Sequence, residues 1–247
     1  MTICWCGSAT HESPEHPAYD RCPSDGTFVL RDSERLTDYG AFYTRQGYWE
    51  DHVTTHYGHP SLGDREPEML ARCNSWAQAL HKIMGKVPAT LYELGSAEGT
   101  FLKTMRNLGT DVLGHDVDGD TAAWVREHHD INCMSGLFPA SRPIHPGPQP
   151  EPQQFEVVCG FDVLEHVPDP VEFVQAAWEH VEPGGLLVFQ TPWYRDQGAK
   201  FKHFKSPEHI HLWSAPAAIA LYRKAGVPLQ RITNSHFAHD MLLWSLK

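Results

Sequence analysis

From residue 86 onward short apolar runs alternate with amphipathic stretches, and this alternation leaves few folds open. "ATLYELG" reads as a strand, "GTFLKTMRNLG" as a helix closed by Gly109, "DVLGHD" as a strand and "DGDTAAWVREHH" as a helix with acids in its first turn. A short strand follows at "INCMSG", then "FEVVCGF" as a strand, "DPVEFVQAAWEHV" as a helix, "GGLLVFQTP" as a strand and "SAPAAIALYRKAG" as a helix. The last two strands, "PLQRITNSH" and "HDMLLWSLK", leave no room for a crossover helix, so they pair antiparallel at a sheet edge. The expectation is an α/β fold: a doubly wound, mainly parallel seven-stranded sheet, covered by helices on both faces and ending in that antiparallel pair. One segment departs from the pattern. "FPASRPIHPGPQPEPQQ" is too rich in proline for a helix or an inner strand and reads as an extended surface connection.

Ahead of this core, residues 1–30 are turn-rich and carry three of the six cysteines, the mark of a small appended Cys-containing module. Residues 31–85 form an aromatic-rich helical lead-in. Its final part, "EPEMLARCNSWAQALHKIMG", places Met69, Leu70, Cys73, Trp76, Leu80 and Ile83 at helical spacing. Residues 86–247 are the core.

A formal net charge of -11 disfavours a nonspecific grip on nucleic acid, which is held mainly by clustered Lys and Arg. No apolar run approaches the roughly 20 residues that span a bilayer, and the start shows no secretory pattern, so a cytoplasmic protein with no membrane partner is expected.

The turn in "LYELGSAEGT" is where such a sheet binds a ligand, because the first strand of a doubly wound sheet runs there into its helix. Only Gly95 and Gly99 match the dinucleotide fingerprint, and no Gly-Lys-Ser or Gly-Lys-Thr follows for a P-loop. Glu98 inside the turn is a poor neighbour for phosphate. Glu93, by contrast, suits an ammonium group, and Asp116 at the end of the next strand suits the two hydroxyls of a ribose.

With these residues in place the chain resembles the class I S-adenosylmethionine-dependent methyltransferases. "ELGSAEGTFL" is similar to their first motif, "VLGHDVD" to the acidic second, "FEVVCGFDVLEHVPDP" to the fourth and "VEPGGLLVFQTP" to the fifth. The resemblance covers about residues 86–247. It implies a Rossmann-like fold, S-adenosylmethionine as cofactor and methyl transfer from its sulfonium to a nucleophile. Carried over, it makes Glu93, Gly95, Ser96, Gly99, Asp116 and Val117 cofactor contacts. Asp162 and Val163 join them at the head of a stretch, through His166, that lines the cofactor and substrate cleft. Met134 and Ser135 are the candidates for the adenine rim.

On the acceptor side, "KSPEHIHLWS" is similar to a segment of methyltransferases acting on sugars and other small molecules, which makes His209 the first candidate base and His211 the second, beside Glu208 and His166. A small-molecule hydroxyl on a sugar, glycan or secondary metabolite is the leading acceptor. A carbon or nitrogen acceptor comes next, then RNA or protein. The basic stretch "RDQGAKFKHFK", with Arg195, Lys200, Lys202 and Lys205, fits an anionic part of the substrate, and Tyr39, Phe42, Tyr43, Tyr48 and Trp49 fit a lid. Related enzymes often begin with a paired Cys-x-x-Cys zinc module. Here Cys4, Cys6 and Cys22 remain, with Asp25, His11 or His16 as fourth ligand to a structural Zn²⁺. From a different class, a noncatalytic module that keeps the fold would bind a partner through this start.

Overall fold

The computed structural model describes residues 1–58, 65–143, 152–235, 237 and 239–247. The middle of the proline-rich connection, at 144–151, and the end of the aromatic stretch, at 59–64, lie outside the described residues.

The first elements are strands: β1 (His11–Glu12), β2 (Tyr19–Arg21) and β3 (Phe28–Leu30). A helical stretch follows, with α1 (Tyr39–Phe42), a π-helical turn at Arg45–Val53, α2 (Thr54–Tyr57) and α3 (Glu66–Met84). Gly85 ends α3 in the left-handed conformation that a helix C-terminus favours in glycine. The alternating region comprises β4 (Thr90–Leu94), α4 (Thr100–Asn107), β5 (Asp111–Asp116), α5 (Gly119–His129), β6 (Cys133–Ser135) and β7 (Phe155–Phe161). It continues with α6 (Pro170–Glu179), β8 (Val181–Pro192), β9 (His211–Leu212), α7 (Ala215–Lys224), β10 (Arg231–Asn234) and β11 (Asp240–Leu246).

Seven strands form one sheet in the order β10-β11-β8-β7-β4-β5-β6. β4 pairs in parallel with β5 and β7, β5 in parallel with β6, and β10 antiparallel with β11. This is the doubly wound sheet with a terminal antiparallel pair that the alternation called for. β10 holds the edge, and β11 lies between it and β8. All of β7 is buried, the near-continuous apolar run of an inner parallel strand covered on both faces. In β5, Gly114 allows close packing: a Cβ there would come within 2.6 Å of Leu102.

A second sheet has the order β1-β2-β3-β9. Its fourth strand comes from residues 211–212, far along the chain, pairing Phe28 with Leu212 and Val29 with His211. Tyr19, Phe28, Leu30, Tyr194, Phe201 and Leu212 form its core. The first 30 residues therefore do not close on themselves. Residues 1–37 group with 160–178 and 187–246 in one compact unit, and residues 38–159, 179–186 and Lys247 form the other.

Candidate active site

The glycine turn joins β4 to α4. Gly95 has φ 74°, Ala97 φ 46° and Gly99 φ 77°, so three of five successive residues are left-handed. A side chain at Gly99 would also meet Val125 at 3.0 Å, which fixes glycine there twice over. Gly95 and Ser96 donate their amides to the carbonyl of His115, at 2.8 and 3.0 Å, locking the turn to β5. The Ser96 hydroxyl faces the Cys133 thiol at 3.3 Å.

Three acids converge on this turn. Glu93 is 3% exposed, and burial, reinforced by Glu98 and Asp116, holds its carboxyl well above the usual range. Burial also raises Glu98, against the pull of Arg65. One carboxylate oxygen on each, Glu93 Oε2 and Glu98 Oε2, is buried with no hydrogen-bond partner among the described residues. Asp116 accepts from the amides of Ala97 at 2.9 Å and Asp118 at 3.1 Å, yet burial still pushes it up to about 6. Such a group of acids stays ionised only when a cation or hydrogen-bond donors arrive. Val117 is half-buried beside Asp116, and Met134 and Ser135 end β6, whose residues pair with His115 and Asp116.

The π-helical segment was not foreseen as part of this region. The Arg45 amide donates to Asp118 Oδ2 at 2.9 Å, and its guanidinium lies 4.4 Å from the Trp124 ring centroid. Within the stretch, Tyr43 and Phe42 each pack on Tyr48, at 4.9 and 5.5 Å, and Tyr48 on Trp49 at 4.9 Å. These aromatics pack tilted or edge to face against one another.

A second group of polar residues follows β7. Asp162 has φ 57° and accepts from Gln190 Nε2 at 2.9 Å, and Val163 beside it is half-buried. Glu165 is 1% exposed, and its Oε2 accepts from Thr191 Oγ1 at 2.9 Å. Its Oε1 lies 3.9 Å from His166 Nε2. The rings of His166 and His209 meet edge to face, centroids 4.9 Å apart. His166 Nδ1 bonds to the carbonyl of Glu208 at 3.0 Å, and His209 Nδ1 to that of His203 at 2.8 Å. A carbonyl only accepts, so both Nδ1 atoms carry the proton and both Nε2 atoms present lone pairs. Burial lowers both histidines and keeps them neutral.

His166, His209 and Glu208 thus stand together, Glu208 buried with its carbonyl on His166. His211 is placed differently. It lies in β9, packed against Trp213, and burial pushes it down to about 3. Arg195, Lys200 and Lys202 are exposed, Lys205 half-buried. Tyr19, Gln190, Thr191 and His203, which hold the group in place, carried no signal in the sequence, since each acts through the backbone or across the fold.

At the N-terminus Cys6 Sγ is 3.6 Å from Cys22 Sγ and Cys4 Sγ is 3.9 Å from Asp25 Oδ2, and one ligand atom from each of the four lies within 4.8 Å of the others. His11 is exposed in β1, and His16 stacks on Phe204 at 5.0 Å.

The sheet order and the acid-ringed glycine turn define a class I S-adenosylmethionine-dependent methyltransferase. The model of the methyltransferase domain family matches residues 69–229, and the chain belongs to that family. The ubiquinone biosynthesis O-methyltransferase of Acinetobacter baumannii is 27% identical over 156 residues, 59% of this chain and 66% of that protein. The enzyme of the same name from Shewanella pealeana is 30% identical over 125 residues, 49% of each chain. The match thus spans two thirds or less of these relatives' length. Among solved structures, magnesium protoporphyrin IX methyltransferase from Synechocystis PCC 6803, with bound SAH, superposes with a TM-score of 0.58 at 12% identity, covering 84% of this chain and 97% of that one. Among the described residues no helix is long and apolar enough to cross a membrane.

Proposed function

We propose that the chain methylates a hydroxyl of a small molecule, with Glu93 taking the ammonium of S-adenosylmethionine and Asp116 its ribose hydroxyls. Gly95, Ser96 and Gly99 let the amino-acid tail approach the backbone, while Val117, Asp162, Val163, Met134 and Ser135 serve the nucleoside. The observation that carries this reading is Glu93 Oε2, a buried carboxylate oxygen near the end of β4 with no hydrogen-bond partner among the described residues. An ammonium supplies both the missing hydrogen bond and the missing charge.

When bound, S-adenosylmethionine supplies an activated methyl group. The chain's own task is to align the acceptor oxygen behind the methyl carbon and receive its proton. S-adenosylmethionine held there would supply the methyl group to the acceptor oxygen, and the Nε2 lone pair of His209 would receive the acceptor's hydroxyl proton. His166 and Glu208 orient this pair. The names of the A. baumannii and S. pealeana relatives support an oxygen acceptor on a small molecule. A sugar or secondary metabolite bearing an anionic group suits the exposed Arg195, Lys200 and Lys202. Calorimetry with S-adenosylhomocysteine tests the donor site. Binding weakened in Glu93→Gln and in Asp116→Asn is expected, and no binding by the parent protein would revive a noncatalytic module.

A second reading concerns the N-terminus. The gathering of Cys4, Cys6, Cys22 and Asp25 supports a structural Zn²⁺, whose tetrahedron takes sulfur and oxygen donors. Elemental analysis of protein purified without chelator tests it, with one zinc per chain expected.

A further inference from the structure

Cys6 Sγ and Cys22 Sγ stand 3.6 Å apart in hydrogen-bond contact, whereas the Cys4 thiol donates to Asp25 Oδ2 at 3.9 Å. The two cysteines sit in separate turns, each closed by its own backbone bonds. Gly7 donates to the Cys4 carbonyl at 2.8 Å, and Gly26 to the Cys22 carbonyl at 3.0 Å, with the Cys22 amide on the Thr27 carbonyl at 2.8 Å. The turns are also tied to each other, Trp5 Nε1 donating to Thr27 Oγ1 at 3.2 Å and Ser8 Oγ meeting Ser24 Oγ at 2.7 Å. These contacts, all between protein atoms, hold the two sulfurs face to face. Cys6 is half-buried and within reach of a small oxidant, and Cys22 is 2% exposed. We propose that Cys6 and Cys22 are a thiol–disulfide switch, closed by a hydroperoxide, whose disulfide form shuts Zn²⁺ out of the N-terminal cluster.

The accessible thiol reacts first. Cys6 sulfur attacks a peroxide oxygen, the sulfur–oxygen bond forms as the oxygen–oxygen bond breaks, and water or an alcohol leaves with the thiol proton. Cys22 sulfur then attacks the resulting sulfenic acid. The sulfur–sulfur bond forms, the sulfur–oxygen bond breaks, and the departing hydroxide takes the Cys22 proton and leaves as water. The two sulfurs have together lost two electrons, which the peroxide has gained, and an external dithiol reverses the change. A disulfide brings the sulfurs to about 2.05 Å. Tetrahedral zinc with bonds of about 2.3 Å holds them about 3.8 Å apart. The observed spacing serves as a starting point for either state, but the cluster cannot hold both. Once Cys6 and Cys22 are bonded to each other, only Cys4 and Asp25 remain of the four donors that structural zinc needs. Zinc occupancy then follows the redox state of the thiols. That exclusion rests on the zinc reading given above; the disulfide does not.

Full-length protein is stripped of metal, reduced, desalted and exposed to hydrogen peroxide, and the remaining thiols are counted in denaturant. A loss of two of the six thiols is expected, since Cys73, Cys133 and Cys159 are buried in the other compact unit. Trypsin cuts after Arg21 and Arg31, so the bond appears in the mass spectrum as residues 1–21 joined to 22–31, and dithiothreitol separates them. The joined peptide is expected in Cys4→Ser and absent from Cys6→Ser and Cys22→Ser, with circular dichroism reporting the fold of each. Zn²⁺ added before the peroxide is expected to slow the loss of thiols, and continued oxidation to release the metal to a colorimetric chelator. Six thiols retained by a folded parent overturn the switch. A joined peptide that survives in Cys6→Ser and disappears in Cys4→Ser overturns it as well. Disulfide formation at the same rate with and without bound Zn²⁺ overturns the exclusion of the metal. A parent that forms the joined peptide yet takes up no Zn²⁺ supports the disulfide and removes the zinc reading.

Discussion

The phenolic hydroxyl of Tyr19 donates a 2.8 Å hydrogen bond to the main-chain carbonyl of His209. One residue on, the Ile210 carbonyl accepts from the Leu30 amide at 2.8 Å and the Ile210 amide donates to the Glu165 carbonyl at 2.8 Å. The N-terminal sheet thus braces the backbone that carries the histidine group. Tyr19→Phe strips a buried carbonyl of its partner, which costs about 1–3 kcal/mol. The expected result is a lower denaturation midpoint and a reduced kcat with S-adenosylhomocysteine affinity unchanged. Equal loss of donor binding and turnover would show that Tyr19 supports the whole fold.

Asp116 gives a pH dependence whose sign is set. Its pKa rises from 3.8 to about 6 in the fold, so it favours the folded state below 3.8 and that contribution is lost as pH rises through about 6. Glu93, also raised, acts in the same direction. A ligand that gives hydroxyls and an ammonium to these groups prefers their ionised forms. Calorimetric affinity for S-adenosylhomocysteine is expected to rise from pH 5 to 7, by at most about tenfold per unit for each proton released. Asp116→Asn flattens the part of this rise that lies around pH 6.

Gly99 has no room for a side chain and a φ that disfavours one. Gly99→Ala is expected to lower stability by about 1–3 kcal/mol and weaken S-adenosylhomocysteine binding, measured by denaturant midpoint and calorimetry. Wild-type stability in this variant would mean the turn rearranges freely.

If Zn²⁺ sits among the N-terminal cysteines, chelation lowers the melting temperature of the parent and leaves that of Cys22→Ser unmoved. Cys22 is 2% exposed and packs in the cluster of Cys4 and Val29, so the metal loss is read against a thermal melt of the variant itself.

The seven-stranded sheet and its glycine turn were legible because their signals are local. Apolar runs, the glycines and the acids Glu93 and Asp116 all fall within single elements. The bracing of the histidines was not, because Tyr19 and His209 are separated by 190 positions and meet through backbone atoms that every residue possesses. The same reason hid Arg45, whose amide caps Asp118. His211 shows the converse. Its neighbourhood in sequence resembles a catalytic segment, and its register against Val29 turns it into the interior of the other sheet.

That strand pairing also sets an order of events at the ribosome. β3 finds its partner only after Leu212 has been made, so β1 to β3 must wait through the synthesis of nearly the whole α/β region with one edge unpaired. These three strands therefore settle late relative to their own synthesis, with an unpaired edge exposed until then.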